Sequence, residues 1–208
     1  MTTGTEIITK AQYNYQGDAG NSLVTTAMWQ EWFQQSQQDL YRLLRDHNRL
    51  ETLSRGAALI ATGSSVTVGD GTADLPAAAD KVIAVYAGAN EAHLTEVSPA
   101  VIRWIDNNSY LQPWQDVYAV HYEDREIYIR PATLTPVDIE YTSPPAELAN
   151  FGVAYTTFPG EILNVLAMII TTYAFAAEED VENVALWAQS VTSALDLGKE
   201  TPPEQEAV

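Results

Sequence analysis

The chain has 208 residues, 46% of them hydrophobic and 10% aromatic, and no cysteine; this is a globular composition with apolar material for one sizeable core or two small ones, and it excludes disulfides, thiolate catalysis and cysteine-based metal sites. Twenty-eight acidic residues against ten Lys and Arg give a formal net charge of −18. Gripping nucleic acid needs clustered cations on the phosphates, so that balance excludes a DNA- or RNA-clamping protein, although a like-charged wall past which DNA slides is compatible with it.

Residues 1–22 are polar, include Gly17, Asp18, Gly20 and Asn21, and lack the basic and apolar regions of a signal peptide. They read as an arm with little core of its own, in which Glu6–Lys10 forms a strand by pairing with a neighbour. The first strong helix is predicted over 23–53. Trp29, Trp32, Phe33, Leu40, Leu43, Leu44 and Leu50 recur at helical spacing, Gln34, Gln35, Gln37, Gln38 and Asp39 fill the opposite, polar face, and Gly56 stops the pattern.

Residues 57–142 read as a strand-rich insert. Leu59, Ile60, Val66 and Val68 mark a first strand, Gly69-Asp70-Gly71 a turn, and Leu75-Pro76 leads into a short helical turn at Ala77–Ala79. Lys81–Tyr86 is predicted as a buried strand with Glu91–Val97 as its antiparallel return, and Pro99–Asn107 as a short helix. Val117–Tyr122 and Arg125–Arg130 alternate around Glu123-Asp124 as a hairpin closed by Pro131, and Val137–Thr142 alternates again before Pro144-Pro145.

After Pro159-Gly160 a helical period runs through Leu163, Leu166, Ile170, Tyr173, Ala177, Val181, Val184, Ala188, Val191 and Leu195, placing helices over 161–197, with a break at Glu178-Glu179-Asp180. Ile162–Ala177 comes closest to a membrane span but falls short of the ~18 apolar residues that one needs, so no membrane is expected. The tail, 198–208, is acidic, holds Pro202-Pro203 and reads as flexible. The expected fold is therefore α+β and mainly helical: long N- and C-terminal helices packed as a bundle, with a small antiparallel sheet or hairpin domain, all within 23–197.

No reactive constellation emerges. His47 falls on the apolar side of the first helix, where a core or interface histidine is the ordinary reading; His93 has no partner pattern; His121 stands beside Glu123 and Asp124 without a nucleophile elbow. Gly69-Asp70-Gly71 lacks the Gly-Lys-Ser/Thr of a phosphate loop, and Asp70 with Asp74 lacks the spacing of a calcium loop. Glu178, Glu179, Asp180 and Glu182 read as a solvated helix face rather than an acid–base pair. No catalytic residue, cofactor or metal is assigned.

Four features in this order resemble the head-to-tail adaptor proteins of tailed phages: the helix with Trp29 and Trp32; Asp74-Leu75-Pro76 leading to Lys81–Tyr86; the hairpin ending Ile127-Tyr128-Ile129-Arg130-Pro131, followed by Val137–Tyr141 and Pro144-Pro145; and Ala174–Trp187 with its acidic break. The resemblance covers most of 23–197 and implies a non-enzymatic virion protein of the viral neck, made in the host cytoplasm. It further implies a homo-oligomeric, dodecameric ring beneath the portal protein that receives a tail or nozzle protein and lets double-stranded DNA pass through its lumen without specific binding. By the same analogy Pro202, Pro203 and Glu204 are candidates for docking on the portal, against the reading of an inert solubilising tail. Tyr122, Glu123, Asp124 and Arg125 are candidates for subunit or tail contacts, against that of a plain exposed turn. Another virion component, such as a tail terminator or nozzle, and a small enzyme or ligand binder are the alternatives.

Overall fold

The computed structural model describes residues 2–15, 24–47, 49–50, 59–87, 92–108, 110 and 116–195. The chain divides into two compact units, one made of 1–58 and 145–208 and the other of 59–144.

A mainly helical bundle with a small hairpin domain is not what forms. Among the described residues there are five α-helices and two four-stranded sheets. The sheet content was underestimated because the pairings are non-local. β1 (Ile60–Val66) lies against β8 (Val137–Thr142), some eighty residues away along the chain, and β8 also pairs with β3 (Lys81–Ala87).

In the 59–144 unit one sheet has the order β1-β8-β3-β4 and the other β2-β7-β6-β5, where β2 is Thr72–Asp74, β4 Ala92–His93, β5 Thr95–Glu96, β6 Val117–His121 and β7 Glu126–Arg130. Alternation along the strands, reset in β3 by an irregularity between Val82 and Ala84, sends Val82, Val85, Val137, Ile139 and Tyr141 of the first sheet and Tyr118, Ile127 and Ile129 of the second into one apolar core. The opposite face of β6, Val117 and Ala119, meets Ile102 and Ile105 of α3 (Pro99–Asp106), whose Pro sits in the first helical turn. The Glu91–Val97 return is only partly a return. Ala92 and His93 pair antiparallel with β3, then buried Leu94 carries the chain across and Thr95–Glu96 pairs parallel with β6.

Two devices hold this unit's corners. Asp70 (φ 51°) and Gly71 (φ 77°) make a two-residue left-handed turn closed by reciprocal Gly69–Thr72 backbone bonds of 2.9 Å. A Cβ on Gly71 would lie 2.9 Å from the Ile129 carbonyl oxygen, so glycine is required there twice over. Arg130, buried in β7, donates to both carboxylate oxygens of Asp106 at the end of α3 (2.6 and 2.8 Å) and to the carbonyls of Gly71 and Ile129 (3.0 and 2.7 Å).

The other unit holds α1 (Gly4–Tyr15), α2 (Thr26–Asp46), α4 (Leu163–Ala177) and α5 (Val181–Ala194). The strand expected at Glu6–Lys10 is instead part of α1. Thr3 Oγ1 accepts from the Glu6 N–H (3.2 Å) and Glu6 Oε2 from the Thr3 N–H (2.8 Å), a reciprocal capping box that starts a helix. Ile7, Ile8 and Ala11 are buried, and α1 packs on α4. The predicted 23–53 helix starts at the Thr25 cap and ends at Asp46, and the helices expected after Pro159-Gly160 are α4 and α5, separated at the expected acidic break, where Glu179 takes φ 59° and Asp180 caps α5. Gly160–Ala177, at 18 residues and mean hydropathy 1.5, reaches the length and apolarity of a membrane span, contrary to the sequence expectation, but half of it is buried inside the protein as a core helix.

The polar face of α2 is also corrected. Ser36 and Gln37 are buried, and the glutamines hold an extended segment. Gln34 bonds both the N–H and the C=O of Leu148 (3.0 and 2.9 Å), Gln38 donates to the Pro145 carbonyl (2.8 Å), and Gln37 accepts from Tyr155 Oη (2.7 Å). A segment that is neither helix nor sheet must satisfy its backbone groups elsewhere, and a carboxamide offers both a donor and an acceptor.

Candidate functional site

Tyr122, Glu123, Asp124 and Arg125 form the turn between β6 and β7. Arg125 adopts φ 56° and its Nη2 donates to the carbonyls of Pro76, Ala77 and Ala79 at 2.8, 3.2 and 3.2 Å, while its own carbonyl accepts from the Leu75 N–H at 2.9 Å. The guanidinium therefore ties the turn before β3 to the hairpin tip. Tyr122 Oη accepts from the Val82 N–H (3.2 Å); burial holds the phenol above its ordinary pKa, and the Val82 amide opposes that shift by favouring the phenolate. What the tip presents outward is the half-exposed Tyr122 ring and the carboxylates of Glu123 and Asp124. Arg125→Ala is expected to lower stability by about 1–2 kcal/mol, since three carbonyls lose a charged donor but can hydrate; a urea unfolding midpoint unchanged from wild type would contradict this.

The histidines stand on different elements. His47 is the exposed C-cap of α2, not a core residue; His93 is exposed on β4, edge-on to Tyr86 at 5.5 Å; His121 on β6 has Nδ1 2.8 Å from Asp124 Oδ2, out of hydrogen-bond geometry. Among the described residues no group of three or more His, Asp and Glu side chains gathers as a metal site. Asp180, of the acidic cluster, accepts from the side chain and backbone of Asn183 (2.7 and 3.1 Å), which holds its carboxyl below the usual range. Its work is to cap α5. Pro202, Pro203 and Glu204 lie outside the described residues.

The more distinctive surfaces are apolar, and the sequence reading missed them. It counted Val181 and Ala188 in a core stripe, yet of α5 itself only Val191 is buried; Val181 is 75% and Leu186 58% exposed. On α3, Trp104 is 57% exposed beside half-exposed Val101. An open groove of about 410 Å³ lies between α2, α4 and α5, lined by Leu43, Ile169, Ala176, Ala188 and Val191 and by Tyr173, which donates a hydrogen bond to Asp39. Burial, then the Asp39 carboxylate, pushes the Tyr173 phenol well above its ordinary range, so the phenol keeps its proton at neutral pH. The available sequence signal was the near absence of charge from a 14-residue helix that carries only Glu182, which is unusual for a face meant for solvent.

These surfaces suit contact between proteins better than chemistry on a small molecule. A family model described as SU10 adaptor protein matches residues 2–206. No curated protein matches the chain.

Proposed function

Because the chain belongs to the SU10 adaptor protein family, and so is a structural component of a phage virion that meets other head or tail proteins, we propose that it forms a ring beneath the portal, joins the DNA-filled head to the tail in the neck, and lines the channel through which the genome leaves. The observation that carries this reading is the family match along nearly the whole chain. The charge is consistent with it: at −18 per copy, a ring wall repels phosphate and offers DNA no cationic footholds. The exposed apolar helix surfaces supply contact area of the kind subunits need.

The portal is the partner above and a tail or nozzle protein the partner below. Pro202, Pro203 and Glu204 dock on the portal, as part of a short acidic, proline-containing segment, and the outward residues of the hairpin tip, Tyr122, Glu123 and Asp124, meet a neighbouring subunit or tail protein. Electron microscopy of the purified protein mixed with portal rings is expected to show a ring of adaptor density coaxial with the portal. A protein that stays monomeric and never decorates a portal would refute the reading. Truncation after Gly198 is expected to abolish portal attachment; attachment at wild-type occupancy would remove the docking role of Pro202–Glu204 and leave the ring standing.

A further inference from the structure

The outward side of α3 carries an exposed ring beside a free cation. Trp104 is 57% and Val101 38% exposed, and exposed Arg103 adjoins Trp104. At about 100° per residue, Arg103, Trp104 and Val101 span some 160° of the helix, opposite the buried Ile102 and Ile105. Arg103 makes no hydrogen bond or ion pair, whereas every other Lys and Arg among the described residues is engaged. The acidic groups around α3 leave that charge in place. Asp106 is held by Arg130; Glu126 accepts from Tyr128 Oη and makes no ion pair with Arg103; Glu96 is in register with core-facing Tyr118, so it leaves its sheet on the face away from α3.

The β6–β7 tip offers the complement. The Tyr122 ring is 49% exposed, and the adjoining Glu123 carboxylate is exposed with no hydrogen bond or ion pair among the described residues. The tip's own cation, Arg125, is committed to the carbonyls of Pro76, Ala77 and Ala79, so the tip is left acidic and aromatic. The two patches belong to opposite faces of one sheet. Val117 and Ala119 of β6 meet α3, whereas Tyr118 and Val120 turn to the core, and Tyr122 continues their set with its Oη on the Val82 N–H of the other sheet. Two different patches on opposite faces make a head-to-tail contact, the kind that closes into a ring when its rotation permits. Trp, Tyr and Arg are also the side chains that dominate interface energies. We propose that the outward face of α3 receives the β6–β7 tip of a second copy, with Tyr122 lying on Trp104 and Val101 and the Glu123 carboxylate accepting from the Arg103 guanidinium. This rests on the ring reading and names the surface that the hairpin tip meets.

The test reverses each charge at an exposed position, where folding is expected to tolerate it. Arg103→Glu and Glu123→Arg are made singly and then together in one chain, and Trp104→Ala separately. Native mass spectrometry and sedimentation, with and without portal rings, read assembly, and circular dichroism melting checks that each variant folds as wild type does. Each single reversal places like charges face to face and is expected to weaken self-association about tenfold or more; Trp104→Ala is expected to do the same by removing the ring. The doubly reversed chain restores an opposite pair and is expected to recover most of the assembly. Wild-type assembly by all the single variants would overturn the interface while leaving the ring intact. Loss of assembly in both single reversals with no recovery in the double would overturn the Arg103–Glu123 pairing. Variants that form rings normally but no longer bind a tail protein would give the α3 face to that protein and overturn the second copy as its occupant. A wild-type chain that forms no ring even on portals would sink the ring reading and this assignment together.

Discussion

Replacing Phe33 with Ala is expected to lower the unfolding free energy of the helical unit by about 3–5 kcal/mol, a large part of what a domain of this size has. Phe33 is fully buried on α2 and meets Phe151 and Tyr155 edge-to-face, at 5.2 and 5.5 Å between ring centres. The next residue along the helix, Gln34, and Gln37, about one turn further on, hold Leu148 and Tyr155. The ring thus fastens the 145–158 segment where the glutamines satisfy its polar groups, and its loss leaves a cavity at the centre of that seam. Urea unfolding followed by far-ultraviolet circular dichroism measures the change. A loss below about 1 kcal/mol would mean that the segment repacks freely and that the seam is not a core.

Arg130→Ala is expected to cost about 3 kcal/mol in the sheet-rich unit. The guanidinium is the common partner of the Asp106 carboxylate and of the Gly71 and Ile129 carbonyls, so one substitution loosens α3, the Asp70-Gly71 turn and β7 together. The effect stays near the lower end of the range for broken buried pairs because Asp106 is 39% exposed on its side chain and can hydrate once abandoned. The hydrogen bonds from Arg130 hold the Asp106 carboxyl below its usual range despite some opposing desolvation. A folded pKa below the unfolded one means that the pair's contribution is complete above the ordinary aspartate pKa, near pH ~4, and is lost as pH falls through the folded value. The stability gap between wild type and Arg130→Ala should therefore be constant at neutral pH and narrow in acid. A gap that stayed constant into acid would show that the charge pairing contributes nothing.

Features carried by neighbouring residues were legible in advance. The β6–β7 hairpin, the α3 helix behind Pro99 and the acidic break before α5 stand where the sequence pattern puts them. The tip residues were found as a turn, but its reason for holding together, the reach of Arg125 to Pro76, Ala77 and Ala79, was not, because those groups are nearly fifty residues apart in the chain. The capping box Thr3-Gly-Thr-Glu6 was present in the sequence and went unread; a short polar N-terminal stretch resembles an arm until Ile7 and Ala11 are seen to have α4 to pack on.

By itself the sequence determined the charge, the turns, most helix starts and the order of motifs that marks the adaptor family, since each is a property of one residue or of a few adjacent ones. Only the tertiary structure decided that β1, β3 and β8 share a sheet, that Gln37 and Ser36 are interior, and that Val181 and Leu186 are left outside. The physical reason is that periodicity tells which side chains share a face but not which face meets a partner; strand pairing and burial depend on groups that distant parts of the chain bring to the same place.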